Sequence, residues 1–186
     1  MQLFPRKGRS ALLAGKHGIE EYGVEGPALR REAAARGIEP RRLIFADRVP
    51  LPEHLARHQL ADLFLDTLPY NAHTTASDAL WAGLPVLTCK GRTFAGRVAA
   101  SLLNAVGMPE TAFDSLEDYE KAALHLARDK EALAGLKAKL LHNRATHPLF
   151  DTARFTRNLE TAFMIMSERQ QKGEKPASFA VEAAIR

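Results

Sequence analysis

A histidine followed by two threonines stands directly before a helix-forming segment near the middle of the chain. His73, Thr74 and Thr75 follow a turn that contains proline and asparagine, and residues 76–82 are good helix formers. A helix N-terminus carries about half a positive charge and unpaired N–H groups, which suit a phosphate. The imidazole of His73 stands where it could donate to a phosphate oxygen. The pattern indicates an anion site, and an ordinary capped helix beside a surface histidine is the open alternative.

The two threonines also offer hydroxyl caps for this helix. Thr74 or Thr75 can accept a hydrogen bond from the first free N–H groups. Thr75 and Asp78 have the spacing of a capping box in which Asp replaces the usual Glu. We therefore expect Asp78 to belong to the helix start.

The elements around this helix alternate between strand and helix. An apolar run at residues 61–65 precedes it, Gly83 ends it, and residues 84–88 read as the next buried strand. Other predicted elements are a helix at 27–36, a strand at 42–46 and helices at 53–58, 94–106, 116–128, from 129 onward and from 151 to 168. Residues 10–14 fit a short strand or a helix remnant. The alternation predicts an α/β fold with a Rossmann-like parallel sheet and flanking helices.

The last predicted helix carries a long apolar stripe. Phe155, Leu159, Phe163 and Met166 recur at helical spacing. We expect this stripe to pack on the sheet or on a neighbouring helix.

Composition places the chain among ordinary globular proteins. It has 186 residues, 46% hydrophobic and 26% charged, which is enough for one sizeable core. The formal net charge of +4 favours an anionic ligand. No long basic block with interleaved aromatics occurs, so nucleic acid is not an expected partner.

The single cysteine and the hydropathy pattern bear on location. Cys89 is the only cysteine, which excludes an intrachain disulfide and fits a reducing compartment. Cys89 follows an apolar strand, which predicts a structural thiol. No apolar run reaches the length of a membrane span, and the N-terminus resembles no signal peptide. We expect a cytoplasmic protein with no membrane partner.

The remaining histidines show no metal-ligand spacing. His58, His125, His142 and His147 are expected at the surface, and no metal site is predicted. His54 and Arg57 lie one helical turn apart and fit either a ligand-facing pair or a solvated helix face.

Residues 73–86 resemble the diphosphate-binding segment of the O-linked N-acetylglucosamine transferases, the SPINDLY-like family. Separate blocks at 52–57, 59–67, Gly91 with 97–103, and 148–152 resemble the same family in the same order. The resemblance spans about residues 24–173. It implies the C-terminal half of a two-domain GT-B glycosyltransferase fold, truncated. The domain would occupy 24–171, between a poorly determined segment at 1–23 and a flexible tail at 172–186.

The resemblance also implies a donor site for UDP-N-acetylglucosamine, which is a substrate, with no other cofactor. The implied contacts are His54 and Arg57 around the uridine, a backbone group of Val49 at the uracil, His73, Thr74 and Thr75 at the diphosphate, and Asp78 at the ribose. Leu51 departs from the family, which commonly has a lysine near the uridine at this position.

The implied reaction is inverting transfer of N-acetylglucosamine to Ser or Thr hydroxyls of acceptor proteins. Its acceptor-side catalytic residues are unknown and are expected in an N-terminal half that is missing here together with helical repeats, so this chain alone should catalyse little. A non-catalytic nucleotide-binding or partner-docking module is the alternative. A metabolic enzyme of related fold, such as a sugar epimerase, is a third possibility that leaves residues 148–152 unexplained.

Overall fold

The computed structural model describes residues 2–6, 9–15 and 26–182, with side chains from residue 28 onward. The remaining parts of the predicted segments at 1–23 and 172–186 lie outside the described residues. The strands are β1 (Gln2–Arg6), β2 (Arg9–Gly15), β3 (Leu43–Ala46), β4 (Leu63–Leu65), β5 (Val86–Cys89) and β6 (Ala112–Phe113). The helices are α1 (Gly26–Ala35), α2 (Leu51–His58), α3 (Thr74–Trp81), α4 (Val98–Ala105), α5 (Leu116–Arg128), α6 (Lys130–Thr146) and α7 (Thr152–Gln171).

The six strands form one sheet in the order β3-β2-β1-β4-β5-β6. β2 pairs in parallel with β3, β4 with β5, and β5 with β6, whereas β1 is antiparallel to both of its neighbours. The predicted parallel α/β sheet is confirmed for the strands that alternate with helices. The antiparallel β1 was not foreseen, and residues 10–14 belong to strand β2.

Helices cover both faces of the sheet. Consecutive strand residues point to opposite sides, so each strand contributes side chains to both of the covered faces. Phe64 and Val86 face one cluster, which buries residues from α3, α4 and α6. Leu63, Leu65 and Leu87 face a second cluster, packed by residues of α5 and α6. These strands are buried on both faces, so they read as continuous apolar runs.

Local sequence signals set several helix ends. Gly83 ends α3 with φ of +84°, and Leu84 N–H donates back to Ala79 O at 2.8 Å. Ser115 begins α5 by accepting from Asp118 N–H, and Asp129 begins α6 by accepting from two N–H groups. The predicted ends at these positions are confirmed.

The predicted start of α4 at Phe94 is wrong, because the helix begins at Val98. Residues 91–96 form a closed turn in which Gly91 N–H donates to Gly96 O at 2.6 Å. A Cβ at Gly96 would lie 3.1 Å from the carbonyl oxygen of Pro69. The turn therefore packs against the loop after β4, and this long-range contact overrides the local helix pattern.

The stripe on α7 is exposed, which contradicts its predicted packing. Phe155 is 64% exposed and Phe163 57%, with Leu159 and Met166 also exposed. α7 contains no buried residue and meets the rest of the described fold mainly at residues 148–150. Despite this apolar stripe, none of the described helices has the length and apolarity needed to cross a membrane.

Truncation of a core side chain should therefore cost far more than truncation in the stripe. Leu103→Ala, at a fully buried position of α4, should lower the free energy of unfolding by about 2–5 kcal/mol. Phe163→Ala should lower it by less than about 1 kcal/mol, because its ring is already more than half exposed. Urea unfolding of both variants checks this, and a larger loss from Phe163→Ala would show that the stripe is covered in solution.

Candidate functional site

Three loops meet at the carboxyl edge of the sheet. β3, β4 and β5 run in the same direction, so the segments that follow them, 47–50, 66–73 and 90–97, leave the sheet at one edge. Asn71 N–H donates to Ala95 O at 3.0 Å and joins the second and third of these loops. Ligands of open α/β sheets bind at this edge.

The first turn of α3 has no side-chain cap. His73 is the N-cap residue and makes no capping hydrogen bond, and Thr74 is the first helical residue. The predicted threonine caps and the Thr75–Asp78 capping box are therefore wrong. Among the described residues, no acceptor meets the N–H groups of residues 74–76. Thr74 and Thr75 are exposed, so the helix start keeps its capacity to bind an anion.

Asp78 does not serve the helix start. It lies on the second turn of α3, where its Oδ2 is 3.5 Å from Nε2 of His54 on α2. The Nδ1 of His54 accepts from Arg57 Nη2 at 3.1 Å, because a guanidinium can only donate. This leaves the ring proton of His54 on the nitrogen that faces Asp78. The three residues form one chain of polar contacts between α2 and α3.

Arg57 also ties this chain to the loop after β3. Its Nη1 donates to Asp47 O at 2.9 Å. Val49 lies two residues beyond Asp47 and is half-buried, while Leu51 begins α2 with 61% of its surface exposed. The structure therefore brings His54, Arg57 and Asp78 into contact and puts Val49 in the adjoining loop.

Two aromatic rings surround His73. Tyr70 stacks on the imidazole with ring centroids 4.8 Å apart, and Phe94 meets it edge-on at 6.2 Å. Both aromatic side chains are largely exposed. They orient the His73 ring at the start of α3, a role that the sequence analysis did not assign because the two residues lie on different loops.

A buried carboxylate holds the loop that leads to α3. Asp66 is 7% exposed and follows β4 directly. Its Oδ1 accepts from the N–H groups of Thr67 at 2.8 Å and Ala72 at 2.7 Å, and its Oδ2 accepts from Thr88 Oγ1 at 2.6 Å. Burial raises the pKa of the Asp66 carboxyl, and these three hydrogen bonds oppose the rise.

Further groups lock the same loop. Tyr119 of α5 donates its hydroxyl to Asp66 O at 2.9 Å, and burial raises the pKa of this phenol. Asn71 is 1% exposed and donates from Nδ2 to Thr67 O at 3.0 Å. The sequence analysis missed Asp66, Thr88 and Tyr119. A charged residue directly after an apolar strand was the available signal for Asp66 alone.

His58 is buried, so the expectation that it lies at the surface is wrong. It is 2% exposed on α2 and its Nδ1 donates to His54 O at 2.8 Å. Burial lowers the pKa of His58, and the adjacent His54 and Arg57 lower it further, against the opposing effects of its backbone hydrogen bond and Asp78. Its ring packs edge-on against the ring of His54, with the two centroids 4.5 Å apart, and so supports the position of His54.

Cys89 fits the structural interpretation of its thiol. It is buried at the end of β5, and burial together with Asp114 raises its pKa. A raised pKa disfavours the thiolate that a nucleophile requires.

The lowered pKa of His58 predicts a loss of stability in mild acid. The unfolded chain takes up a proton near the ordinary value of 6.5, and the folded chain does so only at lower pH. The free energy of unfolding should therefore fall as the pH drops below about 6.5. His58→Gln should flatten this slope in urea unfolding at several pH values. The exposed His125→Gln serves as the control, and equal slopes in both variants would contradict the assignment.

Comparison with protein families matches residues 22–159 to the model of glycosyl transferase family 41. A probable UDP-N-acetylglucosamine–peptide N-acetylglucosaminyltransferase, SEC of Arabidopsis thaliana, is 42% identical over 153 residues. This alignment covers 82% of the present chain and 16% of the Arabidopsis protein. A UDP-N-acetylglucosamine–peptide N-acetylglucosaminyltransferase of Caenorhabditis elegans is 36% identical over 78% of this chain and 13% of its own length.

A solved structure agrees with these relatives. A mutant O-GlcNAc transferase of Thermobaculum terrenum superposes with a TM-score of 0.75 at 35% identity. The match covers 84% of this chain and 30% of that one. The chain thus spans less than a fifth of these curated relatives and under a third of the solved chain.

Proposed function

The chain belongs to glycosyl transferase family 41, and from this premise we propose that it binds UDP-N-acetylglucosamine at the start of α3. The observation that supports the proposal is the uncapped first turn. The N–H groups of residues 74–76 have no acceptor among the described residues, and they lie at the carboxyl edge of the sheet. A diphosphate supplies the oxygens and the negative charge that such a helix start binds.

The side chains around the helix start would contact two different parts of the proposed donor. His73, Thr74 and Thr75 would hold the diphosphate, with the His73 ring oriented by its aromatic neighbours. Asp78 lies four residues after Thr74, about 6 Å further along the helix axis. This is one turn from the diphosphate donors, a position that suits a contact to the ribose.

The chain of polar contacts formed by His54, Arg57 and Asp78 would hold the uridine. His54 is fixed by Asp78 on one side and Arg57 on the other, which leaves its ring in a defined orientation. Val49 would supply a backbone contact to the uracil from the adjoining loop. Leu51, exposed at the start of α2, offers no charge to the nucleotide, so this chain should bind UDP through fewer ionic contacts than relatives that have lysine there.

The proposed reaction is inverting transfer of N-acetylglucosamine to a Ser or Thr hydroxyl of a protein. The hydroxyl oxygen attacks the anomeric carbon, the bond to the diphosphate breaks, and UDP leaves with the bonding electrons. Negative charge then grows on the diphosphate, where the N–H groups of the α3 start stabilise it. We propose that the groups which bind the acceptor and take up its proton belong to residues outside this chain.

A titration of UDP tests the proposed site. The double variant His73→Ala/Thr75→Ala should bind UDP about tenfold more weakly than the wild type, a loss of about 1.4 kcal/mol. The control is His142→Ala/Thr146→Ala, which makes the same two changes at exposed positions of α6. Isothermal calorimetry measures both affinities. Equal affinity in the site variant and the control would place the diphosphate elsewhere.

The dependence on residues outside this chain has its own test. Mixed with UDP-N-acetylglucosamine and a Ser/Thr-containing peptide, the chain should release no more UDP than it does without the peptide, since nothing positions the acceptor. Mass spectrometry of the peptide should find no added sugar. Robust peptide modification that disappears in His73→Ala/Thr75→Ala would show that this chain is sufficient for transfer.

A further inference from the structure

The buried carboxylate of Asp66 joins both ends of the loop that leads to α3. One oxygen accepts from Thr67 at the beginning of the loop and from Ala72 near its end, at 2.8 and 2.7 Å. Ala72 is two residues before the first residue of α3. A single oxygen atom therefore fixes where the helix starts relative to the end of β4.

The other groups in contact with Asp66 fix the carboxylate itself. Thr88, fully buried on β5, donates to the second oxygen at 2.6 Å, and Tyr119 of α5 donates to the backbone oxygen at 2.9 Å. The N–H of Asp66 donates to Leu87 O at 3.0 Å. The position of the loop is thus set by the sheet and by a helix on its far face.

The same hydrogen bonds keep the Asp66 carboxylate from capping α3. An acidic side chain ahead of a helix commonly accepts from the N–H groups of the first turn. Asp66 is the only acidic residue in the loop from 66 to 73, and its oxygens are taken by Thr67, Ala72 and Thr88. The Asp66 carboxylate therefore caps none of the donors of residues 74–76.

Stability alone is a weak reason for a charge at this place. Burying a carboxylate carries a large desolvation cost, and apolar groups of similar volume often stabilise a fold equally well or better. A buried charge with three directed donors fixes geometry instead.

We propose that Asp66 is the positioning residue of the anion site at the start of α3, and that Thr88 and Tyr119 hold Asp66 in place. The inference rests on the proposed function for the identity of the anion, a nucleoside diphosphate. Asp66 itself need not touch the ligand. It acts through Ala72 and His73, by holding the N–H groups of residues 74–76 at the carboxyl edge of the sheet.

The test removes the Thr88 hydroxyl while its shape is kept. Thr88→Val should weaken UDP binding about tenfold, and Thr88→Ser, which restores the donor, should bind within about twofold of the wild type. The control is Thr111→Val, since Thr111 is also buried and its hydroxyl donates to Met108 O, outside the group of residues that contact Asp66. Thr111→Val should bind UDP as the wild type does, even where its melting temperature falls by a similar amount.

Amide hydrogen exchange measured by NMR gives a readout that needs no ligand. Thr88→Val should speed exchange at residues 67, 71 and 72, with α6 unchanged, and Thr111→Val should not. Where Thr88→Val fails to fold, Tyr119→Phe replaces it, with a smaller acceleration at the same amides and an approximately threefold loss of UDP affinity.

The outcomes separate this inference from the proposed function. A wild-type chain that binds no UDP contradicts the proposed function, and the exchange data still decide the positioning role. Unchanged exchange at residues 67, 71 and 72 in both Thr88→Val and Tyr119→Phe overturns the inference. Equal loss of UDP affinity in Thr88→Val and Thr111→Val also overturns it, because that result reflects global destabilisation.

Discussion

A buried carboxylate can be accommodated only where directed donors surround it, and that requirement shapes the carboxyl edge of this sheet. Asp66 draws its donors from the loop after β4 and from Thr88 on β5. Tyr119 closes the cluster from α5. Strand, loop and flanking helix therefore meet at Asp66, and these contacts determine where α3 starts.

The two sides of the candidate site are built by different means. At the start of α3 the donors are backbone N–H groups, whose direction is fixed by the helix and needs no side-chain ordering. Between α2 and α3 the contacts come from side chains, and the His54–Arg57–Asp78 chain orders them before any ligand arrives. Preorganised polar groups bind with a smaller entropic cost. Buried His58 supports this chain and links it to the stability of α2.

The apolar stripe on α7 is exposed in the described fold. A 20-residue helix with four large apolar side chains on one exposed face gains little from the fold described here. The same chain matches under a third of a solved family member. The proposed donor site lies within this matched share. The proposed acceptor-side groups lie outside it.

The sequence by itself determined the features that depend on neighbouring residues. Gly83 ends α3 because the left-handed backbone conformation there favours glycine. Ser115 and Asp129 begin helices because their own side chains accept from the first N–H groups. The alternation of apolar runs with helices predicted the α/β architecture, and family resemblance supplied the residues of the proposed donor site. These signals are local or carried by motifs, so they could be read without coordinates.

Only the tertiary structure decided the features that join distant residues. Asp66 meets Tyr119 across 53 positions of sequence, and Asp78 meets His54 across the gap between two helices. The predicted capping box is wrong because α3 begins at Thr74, which places Thr75 inside the helix and leaves Asp78 to contact α2. The predicted helix start at Phe94 is wrong because the turn at 91–96 packs on another loop. Burial of His58 and exposure of the α7 stripe likewise follow from which surfaces the fold brings together. Spacing along the chain indicates on which face of a helix a residue lies. The packing of the whole domain decides what that face contacts.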